Sequence, residues 1–329
     1  MARFDIVGIG NAIVDVVAPA EERFLSRHNM RKGAMALIDA ETAEALYAAM
    51  PPGRESSGGS AANTCAVAAL LGARVAYLGK VADDQLGAVF RHDMEAAGVQ
   101  FPTAPLREGA PTARCLIVVT PDAQRTLNTY LGACVAFTPD DVDTALIGDS
   151  AVLYLEGYLF DPPAAQAAFR HAAAAAHAAG RQVALSLSDP FCVDRHRAAF
   201  RALVREQVDI LFANEAEITS LYEANTLRKT MEQAQGDVPL AIITRSEAGS
   251  VILVGAETIA VAAEPTQVVD TTGAGDAYAA GFLAGLTSGR SLPVCGRLGS
   301  LAAADVISRY GARPDAALRR RAEALLGPP

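Results

Sequence analysis

The segment DTTGAGDAYAAG, residues 270–281, places three small residues and an acid at the start of an apolar helix. Gly273, Ala274 and Gly275 let backbone N–H groups approach a bulky ligand, and the free N–H groups of a helix N-terminus attract anions. Asp276 at the same point can accept a proton from an alcohol. These residue types in this order predict an anion-binding turn beside a carboxylate that can accept a proton.

Asp276 has an alternative role as a plain helix N-cap, because aspartate is a favoured capping residue. In either role, we expect the helix dipole and the free N–H groups to lower the pKa of the carboxyl. The side chain would then be ionised at neutral pH.

A second glycine-containing turn, ESSGGSAANT at residues 55–64, precedes another apolar helix. Gly58 and Gly59 would expose backbone N–H groups there, and the amide of Asn63 could bind substrate hydroxyls. A simple turn from a loop into a helix would also explain the glycines. This stretch alone leaves both interpretations open.

The composition limits the class of protein. The chain has 329 residues, of which 51% are hydrophobic and 20% charged, and its formal net charge is −9. We expect one or two globular domains, and an acidic protein is a poor partner for nucleic acid or an anionic membrane. The five cysteines are scattered and never form a CxxC pair, and we find no signal peptide and no apolar run of ~18 residues, so we expect a cytoplasmic protein.

Short apolar runs alternate with helical segments along the chain, which is typical of βαβ units. The predicted buried strands are FDIVGIG, ARVAYLGKV, AVLYLEG, QVALSLS, DILFAN and LAIITR. Three predicted helices end at Gly72, Gly98 and Gly180, because glycine favours the left-handed residue that follows a helix. The pattern predicts an α/β fold with a central, mostly parallel sheet.

Two stretches interrupt this alternation, residues 13–39 and 99–133. In the second stretch, ARCLIVVT, the turn PDAQ and RTLNTYL predict a β-hairpin. We expect both stretches to form an inserted β lid on a large α/β domain made of residues 1–12, 40–98 and 134–329. Because exposed strand edges in a lid can pair with a second copy, a monomer and a homodimer are both expected states.

Taken together, the two glycine turns resemble the two signatures of the ribokinase-like (PfkB) carbohydrate and nucleoside kinases. The resemblance covers essentially the whole chain, and the second signature, DTTGAGD with its small-residue helix, is the more specific. It implies a three-layer ribokinase-like fold with a small β-sheet lid. It also implies transfer of the γ-phosphoryl group of ATP to a primary hydroxyl, with ATP and Mg²⁺ as cofactors.

The resemblance assigns roles to residues outside the signatures. In GNAIVD, Asp15 would bind two substrate hydroxyls, with Asn11 beside it. In FANEAE, Asn214 and Glu217 would organise Mg²⁺ and its waters near the phosphates, whereas the alternative for Glu217 is a solvated helix face. We favour the functional role because Asn214 ends a predicted strand, where open α/β sheets bind ligands.

The segment that would bind the nucleotide differs from the family pattern at one position. Thr244 and Gly249 in TRSEAGS would contact the nucleotide, but Ser246 stands where the family more commonly has glycine. The backbone path under the ATP is therefore in doubt, although ATP itself is still expected.

Arg125 follows the predicted lid turn. It would either reach over the transferring phosphate when the lid closes or remain an exposed charge of the hairpin. Relatives are activated by monovalent cations, and Asp270 and Thr272 beside the anion-binding turn could shape a K⁺ site.

The acceptor of the phosphoryl group is indicated by sequence matches that are less specific than the two signatures. GGSAANT, LEGYL, RTLNTYLGA and LSDPFCVDRHR resemble the adenosine-kinase-like branch more than ribokinase. Adenosine is the expected acceptor; a sugar such as fructose or ribose is the alternative, and a non-catalytic sugar- or nucleoside-binding protein is a more distant one. The candidate purine-contacting residues, each of which could instead belong to the core, are Met35, Leu37, Leu116 and Phe160.

Overall fold

A nine-stranded sheet forms the centre of the computed structural model, which describes residues 2–122 and 124–326. The strands lie in the order β14 (Glu257–Val261), β13 (Ser250–Val254), β12 (Leu240–Thr244), β11 (Ile210–Asn214), β10 (Gln182–Ser186), β9 (Ser150–Glu156), β1 (Phe4–Ile9), β5 (Val75–Leu78) and β6 (Val99–Gln100). All neighbours from β12 to β6 are parallel, and only β13 and β14 are antiparallel. The predicted α/β fold with a mostly parallel sheet is confirmed.

The described residues form twelve α-helices, most of which cover the two faces of this sheet. They are α1 (Glu22–Arg27), α2 (Ala40–Ala49), α3 (Ser60–Leu70), α4 (Gln85–Ala96), α5 (Thr144–Gly148), α6 (Pro163–Ala178), α7 (Pro190–Gln207), α8 (Glu215–Tyr222), α9 (Leu227–Asp237), α10 (Ala274–Thr287), α11 (Leu292–Ile307) and α12 (Ala317–Leu326). The three helices predicted to end at glycines, α3, α4 and α6, each end two residues before the glycine.

The sheet separates two hydrophobic cores, because successive side chains of a strand point to opposite faces. Ile6 of β1 belongs to the core that contains Phe282 of α10. Its neighbour Val7 belongs to the other core, with Phe169 of α6 and Phe200 of α7. Helix, sheet and helix therefore form three layers.

A second, smaller sheet has the strand order β3 (Met35–Leu37), β8 (Arg125–Tyr130), β7 (Ala113–Val119), β2 (Ile13–Pro19) and β4 (Arg54–Gly58). The predicted hairpin of β7 and β8 is confirmed as an antiparallel pair. Of the turn predicted between them, Ala123 lies outside the described residues.

Two strands differ in sheet membership from the predicted domain ranges. β4 lies inside the range 40–98 predicted for the large domain, but it pairs with β2 in the small sheet. β6 lies inside the predicted lid range 99–133, but it pairs with β5 in the large sheet. Both strands escaped prediction because RESSG is polar and VQ has only two residues. The division into a large domain and a lid remains a prediction, and Met1 and residues 327–329 lie outside its described part.

All five cysteines lie among the described residues, 2–122 and 124–326, and are buried and free. No described helix combines the length and the hydropathy that a membrane span requires.

Candidate active site

The carboxyl ends of the parallel strands meet at one edge of the large sheet, where open α/β sheets bind ligands. Asn11 lies just after β1, Glu156 ends β9, Asn214 ends β11 and Thr244 ends β12. The first turns of α3 and α10 meet at this edge, since Asp276 of α10 accepts hydrogen bonds from α3. Most of the residues selected from the sequence are therefore brought together.

The turn before α10 leaves the helix N-terminus open. Gly273 precedes the helix with a φ of +77°, and a Cβ at this position would come within 2.6 Å of the Cβ of Ala312. A Cβ on Gly275, in contrast, would meet no atom of the described residues within 4 Å. The N–H of Ala274 donates to Thr271 O at 3.2 Å, so the open approach for an anion at this helix N-terminus lies at Gly275.

Asp276 is held by the neighbouring helix and does not cap its own. Ser60 Oγ donates to its Oδ1 at 2.6 Å, and Asn63 Nδ2 donates to its Oδ2 at 3.2 Å. Gly273 is the N-cap residue, so the plain capping role is wrong. The expected lowering of the pKa is also wrong: burial raises the pKa of Asp276 by more than the bonds from Ser60 and Asn63 lower it.

The turn between β4 and α3 is packed too closely to admit side chains. A Cβ on Gly58 would come within 2.5 Å of the carboxyl group of Asp15. Gly59 has a φ of +93°, and its Cβ would come within 2.2 Å of the carbonyl oxygen of Asn11. The glycines therefore bring this turn against the two residues predicted to bind hydroxyls.

Asp15 lies on β2 of the small sheet, close to a second acid. Burial raises the pKa of its carboxyl to about 6, although the charges of Arg125 and Arg313 lower it, and the charge of Asp276 raises it further. Gly58 lies against the carboxyl group of Asp15, and Ser60, two residues later, donates to Asp276, so both carboxylates contact the same turn.

Glu156 is a site residue that was not selected from the sequence. Its carboxylate accepts hydrogen bonds from the backbone N of Asn11 at 3.1 Å, from Asn11 Nδ2 at 2.9 Å and from the backbone N of Ala61 at 2.7 Å. Only 1% of Glu156 is exposed, and burial raises its pKa to about 7. It joins the end of β1 to the start of α3. An acid at the end of the apolar run AVLYLEG was the available signal.

Arg313 was also missed, and no local pattern would have revealed it. It lies after α11 and donates to Ser57 O and Ser57 Oγ, both at 3.0 Å, and to Ala62 O at 3.2 Å. Burial lowers its pKa, whereas the charges of Asp15 and Asp276 raise it. Arg313 therefore ties β4 to α3 and places a positive charge beside the two acids.

Asn214 and Glu217 form a capping box at the start of α8. Glu217 N donates to Asn214 Oδ1 at 2.8 Å, while Asn214 N and Nδ2 donate to the Glu217 carboxylate at 3.0 and 2.6 Å. Glu217 is 7% exposed, so the solvated-face alternative is wrong. Burial raises its pKa to about 7, and the nearby charges of Asp189 and Asp276 add to this effect.

The turn after β12 keeps a glycine-like path despite its serine. Ser246 has a φ of +50°, in the left-handed region that glycine favours. Gly249 has a φ of +82°, and its Cβ would come within 2.1 Å of the carbonyl oxygen of Val261. Thr244, opposite Ser250, ends the strand at the ligand-binding edge. Ser246 thus replaces the glycine that is common in the family, yet its backbone adopts a conformation that glycine favours.

Arg125 connects the small sheet to the turn before α10. Its Nη1 forms an ion pair with Asp270 and donates to Thr272 Oγ1 at 3.1 Å. The side chain of Arg125 is 12% exposed, so the interpretation as an exposed hairpin charge is wrong.

The candidate purine contacts divide into two pairs. Leu116 and Phe160 are completely buried in the cores, so their alternative role as core residues is right. Met35 and Leu37 are 56% and 58% exposed on β3 of the small sheet. Tyr158, which the sequence analysis did not select, follows the end of β9 and is 40% exposed.

The chain as a whole is similar to carbohydrate and nucleoside kinases. The profile of the pfkB family of carbohydrate kinases matches residues 34–318. Adenosine kinase from Sinorhizobium meliloti has 53% sequence identity and a TM-score of 0.90, covering 98% of this chain and 99% of that one. A probable sugar kinase from Rhizobium etli CFN 42 has 49% identity and the same TM-score and coverage. Adenosine kinase of Saccharomyces cerevisiae is 29% identical over 93% of this chain and 95% of its own.

Proposed function

The chain belongs to the pfkB family of carbohydrate kinases, and from this premise we propose that it phosphorylates the 5′-hydroxyl of adenosine. The family and its relatives make it an ATP-dependent kinase that acts on an alcohol, and the predicted ribokinase-like fold is confirmed. The observation that carries the proposed chemistry is the carboxylate of Asp276 at the open start of α10. The likeness to the Sinorhizobium meliloti enzyme supports adenosine as the acceptor.

In the proposed reaction, Asp276 accepts the proton of the attacking hydroxyl. The hydrogen bonds from Ser60 and Asn63 fix the orientation of its carboxylate, and the raised pKa makes it a stronger base. The N–H groups of Gly273 and Gly275 bind the phosphoryl oxygens and stabilise the charge that spreads over them.

The ribose hydroxyls are assigned to the turn around Asp15. A carboxylate accepts hydrogen bonds from two neighbouring hydroxyls, and Asn11 is fixed beside it by Glu156. Gly58 and Gly59 bring backbone groups to the same place, and the Asn63 amide lies one turn into the helix. This arrangement orients the acceptor before the transfer.

Mg²⁺ fits the acidic edge near Glu217. The carboxylate oxygens of Glu217 retain lone pairs after they accept bonds from Asn214, and the charges of Asp189, Glu217 and Asp276 accumulate there. Among the described residues, no group of three acidic, histidine or cysteine side chains could hold a metal by itself. Mg²⁺ would therefore be held by nucleotide phosphates and waters oriented by Asn214 and Glu217, and it would neutralise phosphate charge.

Tyr158 supplies the aromatic face for the purine. Tyr158 is 40% exposed, and it follows Glu156 by two residues. We expect Tyr158→Ala to raise the KM for adenosine at least about tenfold, and Tyr158→Phe to leave it within about threefold, since stacking needs the ring and not the hydroxyl. Steady-state kinetics at saturating ATP measures both. Equal effects of the two variants would contradict stacking.

A coupled ATP-consumption assay with adenosine, ribose and fructose tests the acceptor. We expect kcat/KM for adenosine to exceed that for ribose by at least about 100-fold, with phosphate on the 5′-hydroxyl of the product, because buried purine contacts are lost with the free sugar. Asp276→Asn serves as the inactive control.

A sugar kinase is the second candidate, favoured by the 49% identity to the probable sugar kinase of Rhizobium etli. Equal or better use of free ribose or fructose would establish this alternative. In that case Tyr158→Ala should leave the KM for the sugar nearly unchanged.

A further inference from the structure

The carboxylate of Asp270 lies in a polar cluster between the small sheet and the turn before α10. Thr272 donates to Asp270 Oδ1 through its backbone N at 3.0 Å and through its hydroxyl at 2.7 Å. Gly311 N donates to Oδ2 at 2.9 Å, and Arg125 forms an ion pair with the same oxygen. The carboxylate, whose side chain is 8% exposed, thus joins three distant segments of the chain.

These contacts do not fit a K⁺ ion at Asp270 and Thr272. A hard cation binds oxygen atoms whose lone pairs face it, whereas both carboxylate oxygens of Asp270 here face N–H or O–H donors. The nearby carbonyl oxygen of Ile307 accepts from Val269 N at 2.8 Å and from Asp270 N at 3.2 Å. A cation would have to displace Arg125, which already supplies a positive charge.

We propose that the guanidinium group of Arg125 takes the place of a monovalent cation and positions the anion-binding turn through Asp270. Arg125 fixes Asp270, Asp270 fixes the backbone and hydroxyl of Thr272, and Thr272 immediately precedes Gly273. The enzyme therefore works without K⁺, and Arg125 is a positioning residue. The inference rests on the proposed kinase function, since it concerns the turn that binds the phosphoryl group.

The ion pair between Arg125 and Asp270 also connects the turn before α10 to the small sheet. Arg125 begins β8, which pairs with β7, and β7 pairs with the strand β2 that carries Asp15. Removing one member of a buried ion pair leaves the other charge without compensation. Loss of Arg125 should therefore disturb the phosphate side of the site, and because its charge also acts on Asp15, acceptor binding should weaken as well.

A first experiment exchanges the cation around the wild-type protein. Adenosine phosphorylation rates and the unfolding temperature of the ligand-free protein are measured in KCl and in tetramethylammonium chloride at equal ionic strength. We expect the rates to agree within about twofold and the unfolding temperatures to coincide. A rate at least about tenfold higher in KCl, or a clear rise of the unfolding temperature there, would overturn the proposal.

These outcomes are separable from a failure of the proposed function. A protein with no turnover on adenosine, ribose or fructose in either salt would contradict the kinase assignment. The unfolding temperature still tests the cation inference in that case, because it needs no substrate.

A second experiment is a double-mutant cycle with Arg125→Met, Asp270→Asn and both together, and with Arg228→Met as control for loss of an exposed ion pair. We expect Arg125→Met to lower kcat or raise the KM for ATP at least about tenfold. Asp270→Asn should then add little in the Arg125→Met background. Independent, multiplying effects would mean that Arg125 acts directly on a phosphate and would overturn the positioning role.

Discussion

Four acidic side chains at the ligand-binding edge, Asp15, Glu156, Glu217 and Asp276, have pKa values that burial raises. Arg313 opposes this effect at Asp15 and Asp276. Charge that is costly in the ligand-free protein suits a site that receives a proton and a metal-bound nucleotide. At the scale of single residues, ionisation of these buried carboxyl groups is therefore unfavourable in the ligand-free site.

Asp276→Asn is the most direct test of the general base. The substitution keeps the shape of the side chain and removes the proton acceptor, so we expect kcat to fall ~10²- to 10⁴-fold. The unfolding temperature and the affinity for ATP should stay close to the wild-type values. A folded variant with more than about a tenth of the wild-type kcat would disprove the assignment.

The pH dependence of kcat/KM, which reports groups of the free enzyme, gives an independent test of the same residue. A base works only when it is deprotonated, so kcat/KM is lost as the pH falls through its pKa. Because the pKa of Asp276 is raised above the ordinary 3.8, the acid limb should begin at a higher pH than for an exposed aspartate. A flat profile down to the ordinary value would contradict this prediction.

Asp15→Ala should affect the acceptor and spare the nucleotide. Hydrogen bonds between a carboxylate and two hydroxyls are worth about 1.5–3 kcal/mol each, so the acceptor KM should rise at least about tenfold. Calorimetric titration with ATP should give nearly the wild-type affinity. An unaltered acceptor KM would remove Asp15 from the site.

At the scale of elements, the turn after β12 stores strain at Ser246. A left-handed non-glycine residue costs roughly 1–2 kcal/mol, so Ser246→Gly should raise the free energy of unfolding by up to about 1 kcal/mol after its larger chain entropy is subtracted. Gly249→Ala is the matched opposite, because its Cβ would meet the carbonyl oxygen of Val261 at 2.1 Å. Denaturant unfolding measures both, and a destabilised Ser246→Gly would refute the strain.

The elements that the sequence predicted are those with strong local signals. β1, β9 and β11 are short apolar runs, and the sequence identified them because buried parallel strands need such runs. β4 was missed because its residues are polar and its partner β2 lies far along the chain. Local patterns record what a segment buries, whereas they do not record which distant strand it joins.

The same limit applies to the site. Asp276 and its glycines could be predicted because the chemistry and the helix start are adjacent in sequence. Arg313 could not, since it reaches β4 and α3 across more than half of the chain. Glu156 was hidden for a similar reason: its partner Asn11 is 145 positions away.

For the whole molecule, the buried acids make stability depend on pH. The folded-state pKa of Glu156 is about 7 and its ordinary value is 4.5, so the folded protein binds more protons in this interval and stability falls as the pH rises. Glu156→Gln should reduce the loss of unfolding free energy over this pH interval by at most about 3 kcal/mol. Urea unfolding between about pH 5 and pH 7.5 measures it, and an unchanged slope would contradict the assigned pKa.

The position of β1 inside the large sheet, third from one edge, has a consequence for biosynthesis. β1 is the first strand to be made, yet its partners are β5 and β9, and β9 begins only at Ser150. Until that segment has been translated, β1 has an open edge that another chain could capture. Pairing over so long a separation is slow, so we expect nascent chains that stop before β9 to be aggregation-prone clients of chaperones.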